Sequence, residues 1–341
     1  MNRREFLTGA AAASLSGLAG SRALAEDALP VVWRWRECSS ENLLKALDKV
    51  RTRLSGRTAV KLHTGEPHGP NILPPAWVKR LVEAVPDATA VECNVLYASP
   101  RRETATHRET IKTNGWDIPV DIMDEDGDAV LPVKDGFHLK EVAVGSRLLG
   151  YDSLLVLTHF KGHARGGFGG SLKNIAIGCA SGRLGKAQVH GVAGPGEREK
   201  PFSQWPGKEW FMESMADSGK AILARFPGRY ACINVLRRLS VDCDCAGVKA
   251  AEPVCPDLGI LASTDILAVD QASIDLVYAL PQALKKDLVE RIESRAGLRQ
   301  LSASGINGNV AFGTGFYRAQ NHIVAVGIRE QQDFQLRIFQ H

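Results

Sequence analysis

Short, largely continuous apolar segments alternate with amphipathic helical patterns along this sequence, and this alternation constrains the fold more than any other feature. From residue 59 the predicted order is strand, helix, strand, helix and strand, over residues 59–63, 75–85, 88–93, 103–114 and 118–123. Strands that are apolar on both faces must be covered on both sides. The pattern therefore predicts an α/β fold in which mostly parallel sheet is flanked by helices.

The same alternation continues in the second half of the chain. Further strands are predicted over residues 141–144, 153–158, 231–236 and 258–262, and further helices over residues 208–226, 269–280 and 283–296. Two arrangements stay open. The elements can form one unit, or two α/β lobes over residues 26–150 and 151–341 with a crevice between them.

The N-terminal segment has the composition of an export signal. A basic start with Arg3 and Arg4 precedes a mildly apolar run over residues 8–20, and Ala23 and Ala25 form a small-residue cleavage pattern. Two adjacent arginines resemble the twin-arginine type of signal, which implies export of the folded protein by that machinery. Residues 1–25 are thus predicted to be removed, leaving a periplasmic or extracytoplasmic protein without a membrane anchor, since the apolar run is shorter than the ~20 residues that cross a bilayer.

Charge and cysteine content narrow the classes of partner. The formal net charge of +4, from 42 basic and 38 acidic residues, is too small for a nucleic-acid-binding face. Seven cysteines is an odd number, and a chain of this size folds without disulfides. If the protein folds in the reducing cytoplasm, clustered cysteines are better explained as metal ligands than as disulfides.

The first segment with chemical potential follows the strand predicted over residues 153–158. His159, Lys161 and His163 alternate there, so an extended backbone projects all three to one side. Glycines follow, and then a helix whose free N–H groups suit an anion. Ligands of parallel sheets bind at the carboxyl ends of strands. We therefore expect a site here, with an anionic ligand bound by these groups: Lys161, Arg165, Gly167, Gly169, Gly170 and Lys173.

The second segment is Cys243-Asp244-Cys245, in which an extended backbone turns both sulfurs to one side. Soft thiolates select iron–sulfur clusters, zinc or cuprous copper. The spacing differs from that of bacterial ferredoxins, so a cluster has to gather ligands from distant segments. The predicted metal ligands are Cys179, Cys243, Cys245 and Cys255, with His159, His163 or His190 as possible substitutes.

Other polar residues have two open interpretations. Asp257, Asp265 and Asp270 interrupt an apolar segment, and they either cap helices and bond within the core or orient histidines or a cation. Residues 61–68 and 97–107 follow two predicted strands, where their charged side chains can face the same crevice.

Several of these segments, in this order, resemble the family called domain of unknown function 362. The resemblance is carried by residues 159–163, 167–174, 178–181, 242–245, 257–263 and 270–273, and by the earlier residues 61–66 and 97–101. It implies an iron–sulfur centre, of which Cys179, Cys243 and Cys245 carry over to this chain. Many members have an added ferredoxin-like insertion with a 4Fe–4S motif, whereas residues 181–230 of this chain contain no cysteine.

The sequence is also more distantly similar to the nickel-pincer lactate racemases. His163, Gly167, Gly169, Gly170 and Lys173 approximate a histidine–glycine–lysine motif of that group. The similarity implies a site in which His159, His163 and Lys173 are catalytic and handle an organic anion by acid–base chemistry.

Three functions follow as hypotheses. The first is an exported protein that binds an iron–sulfur cluster or another thiolate-bound metal, has a redox role with a redox partner, and accepts a small anion. The second is an acid–base enzyme that acts on a small organic acid. The third is a binding module that captures an anion without turnover.

Overall fold

The computed structural model describes residues 30–306 and 327–330. The signal predicted over residues 1–25 lies outside these residues and stays a prediction. No helix within the described part of the chain is both long and apolar enough to span a membrane.

Twelve strands are present in the described residues. They are β1 (Val31–Trp35), β2 (Thr58–Lys61), β3 (Ala88–Glu92), β4 (Val120–Ile122), β5 (Asp128–Pro132), β6 (Glu141–Gly145), β7 (Ser153–His159), β8 (Lys161–His163), β9 (Gly167–Gly169), β10 (Tyr230–Leu236), β11 (Gly259–Ser263) and β12 (Gly327–Glu330).

The same part of the chain forms nine α-helices. They are α1 (Ser40–Val50), α2 (Pro75–Glu83), α3 (Thr104–Thr113), α4 (Ser171–Gly178), α5 (Gly185–Val189), α6 (Lys208–Arg225), α7 (Ile266–Tyr278), α8 (Gln282–Ser294) and α9 (Arg299–Ile306).

Eight strands form the central sheet, in the order β12-β1-β11-β10-β7-β2-β3-β4. Strands β10, β7, β2, β3 and β4 are parallel, whereas β11 is antiparallel to both of its neighbours. The prediction of an α/β fold with a mostly parallel sheet is thus confirmed. Strands from both sides of residue 150 hydrogen-bond in this one sheet, since β7 pairs with β2.

The burial of β7 explains why its sequence is continuously apolar. Leu154 and Val156 pack on one face of the sheet, against the layer that contains α4, α6 and α7. Leu155 and Leu157 pack on the other, against α1, α2 and α3. All four side chains are fully buried, which accounts for the apolar run over residues 154–157.

The strand order creates a switch point between β2 and β7. From β2 the chain moves outward to β3 and β4, and it then returns to the other side of β2 to form β7 and β10. A crevice opens beyond the carboxyl ends of the strands at such a point, and ligands of α/β proteins bind there. Residues 61–63, after β2, and residues 159–163, after β7, therefore face one crevice.

Some elements differ from the sequence prediction. Strand β1 and helix α1, whose N-cap is Ser39, were not predicted. Strand β6 was predicted, but it pairs with β5 in a separate two-stranded sheet. Three residues of this hairpin strand, Val142, Ala143 and Val144, are fully buried, which gives it the apolar pattern of a central strand.

The first backbone N–H groups of helix α4 donate to a carboxylate from a distant part of the chain. Asp270 of α7 accepts hydrogen bonds from the backbone N–H groups of Ser171 (2.7 Å) and Leu172 (2.9 Å) and from the side chain of Asn234 (2.8 Å). The first N–H groups of a helix have no partner within the helix, and here they are buried, so this carboxylate satisfies them. The interpretation of Asp270 as a core hydrogen-bonding residue agrees with this geometry.

We predict that Asp270→Ala lowers the free energy of unfolding by about 2 kcal/mol or more, because it leaves buried N–H groups of Ser171 and Leu172 without an acceptor. Asp275→Ala is the matched control on the same helix, since among the described residues this half-buried carboxylate accepts a hydrogen bond from Gln271 alone. Urea unfolding of both variants measures the difference. Equal losses in the two variants would contradict the role assigned to Asp270.

Candidate functional site

Residues 240–245, which form the cysteine turn, are held against strand β8 by a close backbone contact. The N–H of Gly162 donates to the carbonyl oxygen of Ser240 at 2.8 Å. A Cβ atom at position 162 would lie 2.3 Å from the carbonyl oxygen of Val241, which is closer than atoms approach. Only glycine therefore allows the two segments to meet, and this contact brings Cys243 and Cys245 to the crevice.

A buried ion pair fixes the same turn from its other side. The carboxylate of Asp244 lies 2.9 Å from Nδ1 of His159 and 3.0 Å from Nζ of Lys161. Burial alone would raise the pKa of Asp244, but the facing charges of His159 and Lys161 lower it below its usual range. Asp244 is thus a buried anion that anchors the residue between the two cysteines.

Two sulfurs and one imidazole converge in this crevice. The Sγ atoms of Cys243 and Cys245 and a ring nitrogen of His163 all lie within 4.8 Å of one another. A second imidazole is close, with Nε2 of His63 3.9 Å from Sγ of Cys243. Thiolate sulfur and imidazole nitrogen are ligands of zinc and of other thiophilic metals. This cysteine and histidine group can therefore hold a metal ion.

The two thiols differ in acidity. A hydrogen bond from the Cys245 side chain lowers the pKa of Cys243 well below its usual range, and Lys161 and His63 add to this effect. The same hydrogen bond raises the pKa of Cys245. The backbone N–H of Cys245 also donates to Sγ of Cys243 at 3.4 Å. Cys243 is thus the sulfur that carries negative charge first, and it is the stronger ligand or nucleophile of the pair.

Both imidazoles use Nδ1 to accept backbone hydrogen bonds. Nδ1 of His63 accepts from Gly65 at 2.9 Å, and Nδ1 of His163 accepts from Arg165 at 3.1 Å and from Gly166 at 2.9 Å. Burial, followed by the charge of Lys173, holds the pKa of His163 well below its usual range, so this ring is neutral. Nδ1 of each ring is therefore engaged by backbone donors, and Nε2 is the nitrogen left to face other groups, as in the 3.9 Å contact between His63 and Sγ of Cys243.

A cavity of about 270 Å³ opens in front of this group. It is lined by the cysteine and histidine group, by charged residues and by an apolar wall. Its principal residues are Lys61, His63, Glu92, Arg101, His163, Arg165, Lys173, Lys186, His190, Cys243 and Cys245, with Val95, Leu96, Ile177, Phe202, Trp205 and Phe211 as the wall.

Part of the cavity wall is a buried charge network that the sequence revealed only in part. Glu92, at the end of β3, lies 2.9 Å from Nζ of Lys61 and 3.1 Å from Arg101, which also contacts Glu66 at 3.4 Å. Lys61, Glu66 and Arg101 lie in the strand-end segments singled out above, whereas Glu92 was missed. A lone acidic residue at the end of an apolar strand was the only sequence signal for it.

The sequence predicts that the glycine loop, residues 166–170, binds an anion directly. The structure gives these glycines other neighbours. Gly167, Gly169 and Gly170 are not among the residues that line the cavity. The helix start behind them already holds the carboxylate of Asp270, and a Cβ atom at Gly170 would lie 2.5 Å from that carboxylate. Gly167 has a φ of +74° and packs against Gly297. Gly167 and Gly170 therefore serve close packing in this structure.

The basic residues of the first segment have separate positions. Lys161 is buried on Asp244, as described. Lys173 and Arg165 line the cavity. Both ring nitrogens of His159 are bonded within the protein, Nδ1 to Asp244 and Nε2 to the carbonyl oxygen of Arg237 at 2.8 Å. His159 is thus placed to position Asp244, whereas His163 faces the cavity, so the two predicted catalytic histidines do not share one site.

The structure brings together two of the four cysteines predicted as ligands. Cys179 is fully buried in the hydrophobic core, and burial raises its pKa to about 11. The pKa of Cys255 is also raised to about 11 by burial, and its backbone pairs with Leu239. Neither sulfur belongs to the group formed by His163, Cys243 and Cys245.

We predict that Gly162→Ala displaces the cysteine turn, because the added methyl group meets the backbone of Val241. Gly169→Ala is the matched control in the paired strand β9, since its Cβ atom would lie 3.7 Å from the nearest heavy atom, an ordinary contact. The rate at which a thiol reagent modifies Cys243 and Cys245 in the folded protein should rise at least tenfold in Gly162→Ala alone. Equal rates in both variants would contradict the role of this glycine.

This chain matches one protein family by sequence and is similar to solved structures. No curated protein matches the sequence. The lactate racemase apoprotein from Thermoanaerobacterium thermosaccharolyticum is 13% identical over 75% of this chain, with a TM-score of 0.44. A protein from Thermotoga maritima is 13% identical over 59% of the chain, with a TM-score of 0.36. The matched regions span 57% and 51% of those two chains.

The family model gives the stronger result. The model of DUF362, a domain of unknown function, matches residues 58–275, which include the switch point, the glycine loop and the cysteine turn. The family expected from the sequence motifs is therefore confirmed. Because the match covers more than half of the chain, this protein belongs to the DUF362 family.

Proposed function

We propose that this protein binds a single thiophilic metal ion through Cys243, Cys245 and His163. The observation that carries the proposal is the convergence of their ligand atoms within 4.8 Å. Two thiolates and one imidazole are the ligand set of catalytic zinc sites that keep a fourth position open for water or substrate. The cavity in front of the group provides the space for that fourth ligand.

The ligand set favours a mononuclear ion over a 4Fe–4S cluster. A cubane cluster of this type takes four cysteine thiolates. Among the described residues, the sulfurs of Cys179 and Cys255 lie outside the group, which leaves two. His63 is available as a further ligand because its Nε2 faces Cys243. Cys243 and Cys245 must lose their thiol protons to act as ligands, so the affinity for metal should rise with pH.

A redox role and export remain part of the proposal. Sulfur ligands suit iron as well as zinc, and iron in such a site can change its oxidation state. The twin-arginine type of signal suits a protein that acquires its metal before it is exported. An absorption band from thiolate-bound iron in anaerobically purified protein would support the redox role, and zinc alone would contradict it.

We predict that the double variant Cys243→Ser/Cys245→Ser, purified without air, retains less than about one tenth of the metal bound by the unmodified protein. Serine keeps the size of the side chain and removes the soft ligand. Elemental analysis of metal per chain provides the measurement. Cys179→Ser/Cys255→Ser is the matched control, and it should retain its metal because neither sulfur lies in the group.

Two results would decide against the proposal. Full metal occupancy in Cys243→Ser/Cys245→Ser would show that these sulfurs are not ligands. Loss of metal in the control, with a circular dichroism spectrum unchanged, would instead assign the metal to the cysteines that the structure places outside the group.

A further inference from the structure

The charge of the cavity is strongly unbalanced. Its lining includes one carboxylate, that of Glu92, and five cationic side chains, which are Lys61, Arg101, Arg165, Lys173 and Lys186. Glu92 is already engaged by Lys61 and Arg101. The remaining three cations have no carboxylate within salt-bridge distance in the described part of the chain, so the cavity carries a positive potential.

These three cations differ in what they contact. Nζ of Lys186 donates to the carbonyl oxygen of Ala180 at 2.7 Å, and Arg165 donates to the carbonyl oxygens of Phe202 and Pro206. Lys173 makes no hydrogen bond or ion pair with any described residue. Burial lowers the pKa of Lys173, and the nearby Cys243 and Cys245 oppose this effect without making a hydrogen bond to its ammonium group.

The stem of Lys173 is positioned by the glycine loop. A Cβ atom at Gly166 would lie 3.3 Å from its side-chain carbons, so the missing side chain leaves room for the lysine to lie along the loop. Its ammonium group is thereby held at the cavity, close enough to Cys243 and Cys245 for their charges to act on it.

The same cavity has an aromatic wall. The rings of Phe202 and Trp205 have centroids 5.0 Å apart, and His190 packs on Trp205 at 5.7 Å and on Phe211 at 4.6 Å. The guanidinium group of Arg165 stacks on Phe202 at 4.4 Å. Phe202 is 52% exposed, so part of this apolar surface remains uncovered.

We propose that this cavity binds a small aromatic carboxylate, with the carboxylate on Lys173 and the ring against Phe202 and Trp205. The carboxylate supplies the counterion that Lys173 lacks, and a charge-assisted hydrogen bond is stronger than a neutral one. The ring covers the apolar wall. A cavity volume of about 270 Å³ is close to the lower limit of small-molecule sites, about 300 Å³, and fits a ligand with one ring.

This inference rests on the proposed function in one respect, that the cavity beside the metal-binding group is the working site. The two can be tested separately. Lys173 and the aromatic wall do not need the metal, so the ligand should bind to Cys243→Ser/Cys245→Ser as well as to the unmodified protein. If the unmodified protein binds the aromatic carboxylate but contains no metal, the inference is supported and the metal proposal is contradicted.

The first test compares ligands on the unmodified protein by isothermal titration calorimetry. Phenylacetate should bind about tenfold to hundredfold more tightly than the neutral phenylacetamide, because only the former compensates Lys173. It should also bind at least about tenfold more tightly than acetate, which has no ring. Equal binding of phenylacetate and phenylacetamide, tighter binding of inorganic phosphate than of phenylacetate, or no binding of phenylacetate would overturn the inference.

The second test uses variants of the two contacts. Lys173→Met should weaken phenylacetate binding at least tenfold, and Lys173→Arg should retain most of it. Trp205→Leu should weaken phenylacetate and leave acetate unchanged. Lys140→Met, at an exposed lysine, is the matched control and should bind as the unmodified protein does. Unchanged phenylacetate binding in Lys173→Met would overturn the assignment of Lys173.

Discussion

The site depends on one buried carboxylate. Asp244 lies between the two cysteines in sequence and between His159 and Lys161 in space, at 2.9 Å and 3.0 Å. A buried carboxylate is expensive to desolvate, and it persists only when its partners compensate for the loss of water. Since both partners come from the end of β7 and from β8, this ion pair ties the cysteine turn to the carboxyl edge of the sheet. The positions of both sulfurs follow from that attachment.

The surrounding charges have the same logic on a larger scale. The switch point between β2 and β7 collects the groups that follow both strands, and several of them are cations. Glu92 and Glu66 neutralise Lys61 and Arg101, and Asp244 neutralises Lys161. A hydrogen bond from Cys245, together with the charges of Lys161 and His63, lowers the pKa of Cys243 well below its usual range. A lowered thiol pKa reduces the cost of deprotonation when a thiol acts as a metal ligand, so these interactions favour the metal binding proposed for the site.

The sequence was sufficient for many of the helices and strands, but it missed β1 and α1 and the pairing between distant segments. The apolar run of β7 predicts a strand because both faces are buried. The sequence predicts Cys243 and Cys245 as a pair on an extended backbone, but Cys245 lies in a 3₁₀ helix, Asp244–Lys249, and the two sulfurs meet where that helix begins. It did not predict that β11 runs antiparallel, since burial on two faces leaves the same pattern in either direction. It grouped Cys179 with the ligands, although that sulfur is in the core. It also treated His159 and His163 as equivalent, because the partners of His159, Asp244 and Arg237, lie 85 and 78 residues further along the chain.

The glycines before helix α4 are present for a reason other than the one that their sequence pattern suggested. Glycines before a helix suggest that an anion meets the helix N-terminus, and a carboxylate does lie there, but it belongs to Asp270, 99 residues from Ser171. With that position filled, the absence of a side chain at Gly166 has another consequence, which is the space along which Lys173 extends. In the proposed site, the loop therefore contributes to anion recognition through this cation and not through backbone N–H groups. Because a flexible ammonium group adapts to its ligand, whereas backbone N–H groups have a fixed direction, this arrangement suits a carboxylate whose position is set by the aromatic wall.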